Sequence, residues 1–114
     1  MKSDRLYLMH ILESIDRILS YAQEGREAFL GDVRTQDAVV RNFEIIGEAA
    51  KRVTEETRKA ASDISWRRIA GFRDVLIHRY EAVDPEEVWS VVKRDLPDLK
   101  RKIEAILEQS GGPA

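Results

Sequence analysis

The stretch TQDAVVRNFEIIGEAAKRVTEET, residues 35–57, settles the fold class. Val39, Val40, Phe43, Ile46, Ala50 and Val53 recur at intervals of three and four, the spacing that gathers apolar side chains on one stripe of an α-helix. The same pattern precedes it: over residues 3–24, Leu6, Met9, Ile11, Leu12, Ile15, Ile18, Leu19 and Ala22 oppose Glu13, Asp16, Arg17 and Glu24, with Gly25 as the expected stop. A connector containing Gly31 and Asp32 joins the two helices. After it, RKAASDIS interrupts the periodicity, and Asp63 or Ser65 is placed to cap a helix from Trp66 to about Tyr80. DPEE then offers Asp84 as N-cap, Pro85 at the first helical position and Glu87 three residues after the cap. The helix it starts carries Val88, Trp89, Val91 and Val92 and meets Pro97, which predicts a kink or short break near Asp95. A last run to about Gln109 holds Leu99, Ile103, Ile106 and Leu107. No segment alternates with a period of two, so the expectation is all-α: an antiparallel up-and-down bundle of four helices, or five if Pro97 splits the last.

At 114 residues the chain is read as one domain, residues 1–109, with SGGPA at 110–114 as a frayed tail. A chain of this size hides roughly 65% of its extended surface, enough to fold alone, although a subunit interface would help. There is no cysteine, which removes disulfides and thiolate metal sites. Charges every few residues in MKSDRLYLMHILESIDRIL argue against a signal peptide or a membrane span, so a soluble, cytoplasmic protein is expected. With 35% charged residues and a net charge of −2, the protein lacks the overall basic character of most nucleic-acid binders. Yet WRRIAGFRDVLIHRY, residues 66–80, holds four arginines against one aspartate. An anionic ligand would bind there.

On a helical wheel Arg73 falls in the middle of the apolar arc made by Trp66, Ile69, Leu76, Ile77 and Tyr80, whereas His78 falls in a polar sector beside Arg67 and Asp74. Burying a guanidinium costs several kcal/mol unless it is paired, roughly the penalty of any uncompensated buried charge. Arg73 therefore either meets a carboxylate of another helix, Glu44 or Glu48, or lines a cleft that receives an anion such as phosphate. His78 is a helix-surface histidine near Asp74 or a general acid–base group. Five residues apart, the two side chains diverge on a straight helix, and a second subunit closing a cleft would bring them to one phosphate. Trp66 and Trp89 read as core aromatics, His10 as a structural or surface residue, and Gly47 as a point of close helix packing. GxGxxG, P-loop and Ser-His-Asp patterns are absent, and two histidines without cysteine make a zinc site improbable, so neither a metal nor a cofactor is expected.

The order Arg73, four residues, His78, one residue, Tyr80 resembles the R-x4-H-x-Y motif of HepT-like proteins, a small all-helical HEPN-domain family. The blocks TQDAVVRNFEIIGEAAKRV, ISWRRIAGFRDVLIHRY and VWSVVKRDLPDLKRKI extend the likeness over most of the chain. The resemblance implies a metal-independent endoribonuclease toxin of a type VII-like pair, with a minimal nucleotidyltransferase as its antitoxin partner. It implies Arg73 and His78 as the catalytic pair in a homodimer cleft, Asp74 in support, and Tyr80 as the residue silenced by AMP. Arg67, Arg68 and Arg79 would hold the RNA backbone without reading bases. Two other readings stay open: a non-catalytic nucleotide- or substrate-binding partner subunit of the nucleotidyltransferase, and a structural helical dimer in which Arg73 is only salt-bridged.

Overall fold

The computed structural model describes residues 2–110, and those residues are all-α. Seven α-helices run in order: α1 Lys2–Tyr21, α2 Arg26–Leu30, α3 Val33–Arg52, α4 Glu55–Ala60, α5 Trp66–His78, α6 Pro85–Arg94 and α7 Leu96–Ser110, with a 3-10 turn at Tyr80–Ala82 before α6. Of the tail expected at 110–114, Ser110 instead closes α7, and residues 111–114 lie outside the described residues. No helix among those described is long and apolar enough to cross a membrane.

The central helix is α3, flanked by α1 on one side and α5 on the other; α1 also packs on α7, α7 on α6, and α2 bridges α3 and α6. α1 runs antiparallel to α7, and α3 to α5. Asp16 meets Lys100 at 2.9 Å while Arg5 reaches the carbonyl of Leu107; Glu48, late in α3, meets Arg73 within α5, while Asp37, early in α3, meets Tyr80 just beyond the end of α5. The stripes read from the sequence form the core: Leu8, Ile11, Ile15 and Ile18 of α1 face Val39, Phe43, Ile46 and Ala50 of α3, and Leu76, Val88, Val92 and Ile103 close around them. Fully burying one such side chain stabilises by about 1.5–3 kcal/mol, so this shared interior holds the helices together. Trp66 and Trp89 are core aromatics as expected: the Trp66 indole N–H donates to the Ala61 carbonyl, and Trp89 packs on Phe29.

Four boundaries depart from expectation, each for a local reason. The connector around residues 26–30 is the short helix α2, which buries Phe29 and is entered through Gly25 at φ +98°, a conformation that favours glycine. The helix expected over 35–57 starts two residues early, because the Asp32 side chain accepts from the N–H groups of Arg34 and Thr35. It also ends early, at Arg52. The N–H of Thr54 is taken by the buried Asp4 carboxylate at 3.0 Å, and the Thr54 hydroxyl caps α4, so EETRKA is a separate exposed helix and not the frayed end of α3. The Arg58 guanidinium accepts the role of C-cap, donating to the carbonyls of Lys51 and Val53. Finally, α5 stops at His78, and Ser65 occupies its N-cap position without a side-chain bond. The signals around α6 hold: Asp84 accepts from the N–H of Glu86, Pro85 opens the helix, and the chain turns at Asp95 so that Pro97 falls in the first turn of α7.

Candidate functional site

The candidate site is built where α5 crosses α3. Gly47 lets the helices approach: a Cβ there would lie 2.8 Å from Cδ of Arg73, 2.9 Å from its Cγ and closer still to its Cβ. The glycine expected to permit close packing is the seat of the arginine stem. Arg73 is half-buried, with 21% of its side chain exposed; Nη2 pairs with Glu48 at 2.8 Å and Nη1 with Asp74 at 3.3 Å, while the buried Nε has no hydrogen-bond partner. Of the two carboxylates expected as partners, Glu48 makes the contact. Its other oxygen accepts from Arg52 through Nε and Nη2, so one carboxylate holds two guanidinium groups. Asp74 is shared with Lys51 at 3.1 Å; the Lys51 hydrogen bond, with the charges of Lys51 and Arg73, outweighs partial burial and holds the Asp74 carboxyl below its usual value. The result is a chain of alternating charge, Arg52, Glu48, Arg73, Asp74, Lys51, along the α3–α5 contact.

Arg73 is salt-bridged, but it is not sealed. It lines a groove of about 490 Å³ that runs over α3 between α1 and α5, together with Tyr7, His10, Arg52 and Ile77. His78, the last residue of α5, is exposed and makes no hydrogen bond or ion pair among the described residues. It does not line this groove. The chain thus presents Arg73 inward, toward α3, and His78 outward.

Tyr80 lies beyond the end of α5 in the 3-10 turn and is 49% exposed. Its hydroxyl donates to the Asp37 carboxylate, and that bond, reinforced by the carboxylate charge, raises the phenol above its ordinary pKa. The three outlying arginines do not form one cluster. Arg67 and Arg68 sit on the first turn of α5, whereas Arg79 is exposed at its other end, about 18 Å away along the axis at 1.5 Å per residue. Arg68 approaches Asp95 at 3.9 Å. Arg67 and Arg68 instead share a depression at the α4–α5 elbow with Lys51, Arg58 and Lys59, a largely basic surface. Its sequence signal is two cations, Arg58 and Lys59, at the end of α4, one turn before two more at the start of α5.

A second groove, about 520 Å³, lies between α5 and the α6–α7 corner over a floor of Phe43 and Phe72, whose rings meet edge to face at 5.1 Å. Among the described residues no group of three or more His, Asp or Glu side chains is placed to hold a metal ion.

A family model described as ribonuclease HepT-like matches residues 11–106. Among curated proteins, the chain is 42% identical over 106 residues to a "Probable ribonuclease HepT" of Thermococcus cleftensis, covering 92% of this chain and 96% of that one. It is 44% identical over 109 residues to a "Gamma-glutamylcyclotransferase and putative RNase" of Methanocaldococcus jannaschii, covering 95% of this chain but 49% of that longer protein. It is 36% identical over 110 residues to a "Putative RNase" of Caldanaerobacter subterraneus subsp. tengcongensis, with 96% and 98% covered. No solved structure matches the chain.

Proposed function

This chain belongs to the ribonuclease HepT-like family, and we propose that it is a metal-independent endoribonuclease toxin that works as a homodimer, with Arg73 and His78 as its catalytic pair. The observation that carries the reading is Arg73 itself: a permanent cation, anchored against Gly47, whose guanidinium opens on an accessible groove while half-exposed carboxylates hold it in place. A merely structural arginine would be expected to face its partners in a closed interior.

RNA supplies its own nucleophile. The 2′-oxygen attacks the adjacent phosphorus as its proton passes to a base, the P–O5′ bond breaks, and an acid protonates the departing 5′-oxygen. The products are a 2′,3′-cyclic phosphate and a 5′-hydroxyl. Imidazole changes charge near neutral pH, so His78 serves one of these proton transfers and its symmetry mate the other. Arg73 stabilises the charge that builds on the non-bridging oxygens, a role its planar fork suits. Asp74 fixes Nη1 of Arg73 and thereby its orientation. The basic elbow of Arg67 and Arg68, extended by Lys59, holds flanking phosphates without reading bases. Exposed Leu6 and Met9 on α1 and Ile77 on α5 supply apolar surface beside the groove for the partner subunit.

In this reading a minimal nucleotidyltransferase is the antitoxin, and AMP on Tyr80 silences the enzyme by placing a bulky anion at the His78 end of α5, in the path of the RNA backbone. The exposed hydroxyl is already aimed at Asp37, which can take its proton as the Tyr80 oxygen attacks the α-phosphorus of ATP and pyrophosphate leaves. With the partner enzyme and ATP, mass spectrometry is expected to find AMP on wild type, none on Tyr80→Phe, and roughly a hundredfold slower transfer to Asp37→Asn, the lower end of the range for loss of a general base. AMP addition to Tyr80→Phe would remove the switch. The nuclease itself is tested by incubating single-stranded RNA with the dimer in EDTA: cyclic-phosphate ends are expected from wild type, and their absence would contradict the reading.

A further inference from the structure

The wall of the Arg73 groove opposite α5 is α1, and its side chains have no part in the chemistry above. Asp4 of α1 meets Thr54 just past the end of α3, and the Arg52 guanidinium lies 5.9 Å from the centre of the Tyr7 ring. Because α1 and α3 run antiparallel, one further turn along α1 brings His10 to the height of Glu48, the residue that grips Arg73 from the other side. The His10 ring stands edge to face against Tyr7, 6.4 Å between centroids and 74° between planes. Tyr7 is partly buried and held between Arg52 and His10, whereas His10 is exposed. The groove therefore has two guanidinium groups bridged by the exposed Glu48 carboxylate at its floor, the Arg41–Glu44 ion pair beside them, and an aromatic pair on its wall.

We propose that this groove is a nucleotide subsite, in which the base of one RNA nucleotide stacks on His10 and its phosphate displaces Glu48 from Arg73 and Arg52. The inference rests on the ribonuclease reading and adds to it residues that touch the substrate without moving protons. The groove's volume, about 490 Å³, falls within the range of small-molecule sites, roughly 300–1,000 Å³. Unpaired RNA bases bind to proteins by stacking on aromatic, imidazole or guanidinium planes, a contact every base can make. A carboxylate and a phosphate present the same pair of oxygens to a guanidinium fork, so Glu48 occupies in the free protein the position that a phosphate takes in the complex. Its side chain is 46% exposed, and it can turn outward without being buried alone.

The test compares His10→Ala and His10→Phe with wild type on two ligands: a single-stranded tetranucleotide, and a ribose–phosphate chain of equal length that lacks bases. For the tetranucleotide, His10→Ala is expected to raise KM about tenfold, the order of one lost stacking contact, with kcat within twofold and with His10→Phe restoring KM. Fluorescence anisotropy on His78→Ala protein, which binds without cleaving, is expected to show the base-free chain bound equally with and without His10→Ala. An unchanged KM, a loss confined to kcat, or equal weakening of both ligands would overturn the subsite. Should wild type bind but never cleave, the ribonuclease reading falls, and the anisotropy arm still decides whether the groove takes a base.

Discussion

Arg73 shows how a charge can sit in an apolar arc without being an error of the fold. Its Cβ, Cγ and Cδ fill the space that Gly47 leaves on α3, so the stem contributes packing while the head reaches Glu48 and Asp74. Gly47→Ala sets two effects against each other. Alanine gains about 1 kcal/mol of helix propensity over glycine, but its methyl group collides with atoms next to the α5 backbone that cannot rotate away, and overpacking of this kind costs typically 1–3 kcal/mol. The added Cβ would lie far inside contact distance of the Arg73 Cβ, which puts the cost at the upper end of that range, so the collision wins: denaturant unfolding is expected to show a net loss of about 2 kcal/mol on that balance, and a variant as stable as wild type would show that α3 and α5 separate freely. The sequence exposed Arg73 as anomalous and narrowed its partner to two glutamates, since both facts follow from helical spacing. It could not expose the sharing of Glu48 with Arg52, or the bond from Tyr80 to Asp37, because those contacts depend on how deep two helices cross.

Among the elements, the break after Arg52 carries the clearest lesson. Periodicity alone continues the helix through Val53 to Thr57, and it is Asp4, fifty positions earlier, that ends it by accepting from the N–H and hydroxyl of Thr54 and the hydroxyl of Thr57. Long helices were readable because their stripes span several turns and because Asp84 and Pro85 announce α6; α2 and α4, at five and six residues, are too short to show a period. Asp4 also gives the fold a defined acid sensitivity. Burial pushes its carboxyl up, but the hydrogen bonds from Thr54 and Thr57 outweigh that and lower it below the ordinary 3.8. A folded value below the unfolded one means stability that is present above about pH 4 and lost as pH falls through the lowered value. Asp4→Ala is therefore expected to cost about 2–3 kcal/mol at neutral pH, the range for bonds to a buried charge. The gap from wild type should stay level down to about pH 4 and close below it, as thermal melts across pH 2–7 would show; a gap that widens on acidification would contradict this assignment.

In the whole molecule, α3 serves both as the centre of the core and as the floor of the site. Its buried stripe binds α1 and α5, and its opposite face, bearing Glu44, Glu48 and Arg52, lies open in the groove between them. The bundle, the break at Asp95 and the all-helical architecture could be read from the sequence, because burial patterns are local. The meeting of Arg73 with His78 could not, and one subunit does not supply it: α5 turns the arginine toward α3 and leaves the histidine in solvent. The proposed site of two copies would resolve that divergence, each copy bringing an arginine and a histidine to a common cleft. The most direct test mixes two inactive proteins, Arg73→Ala and His78→Ala, under conditions that exchange subunits, and measures RNA cleavage in EDTA. Each variant alone is expected to lose at least a hundredfold in rate, consistent with removing a general acid–base or an oxyanion-stabilising group, and the mixture to regain part of the wild-type rate as heterodimer forms, part because its cleft then holds one Arg73 and one His78 where the wild type has two of each. Cleavage by either variant at the wild-type rate, or a mixture of confirmed heterodimers that stays as inactive as its parts, would contradict the account.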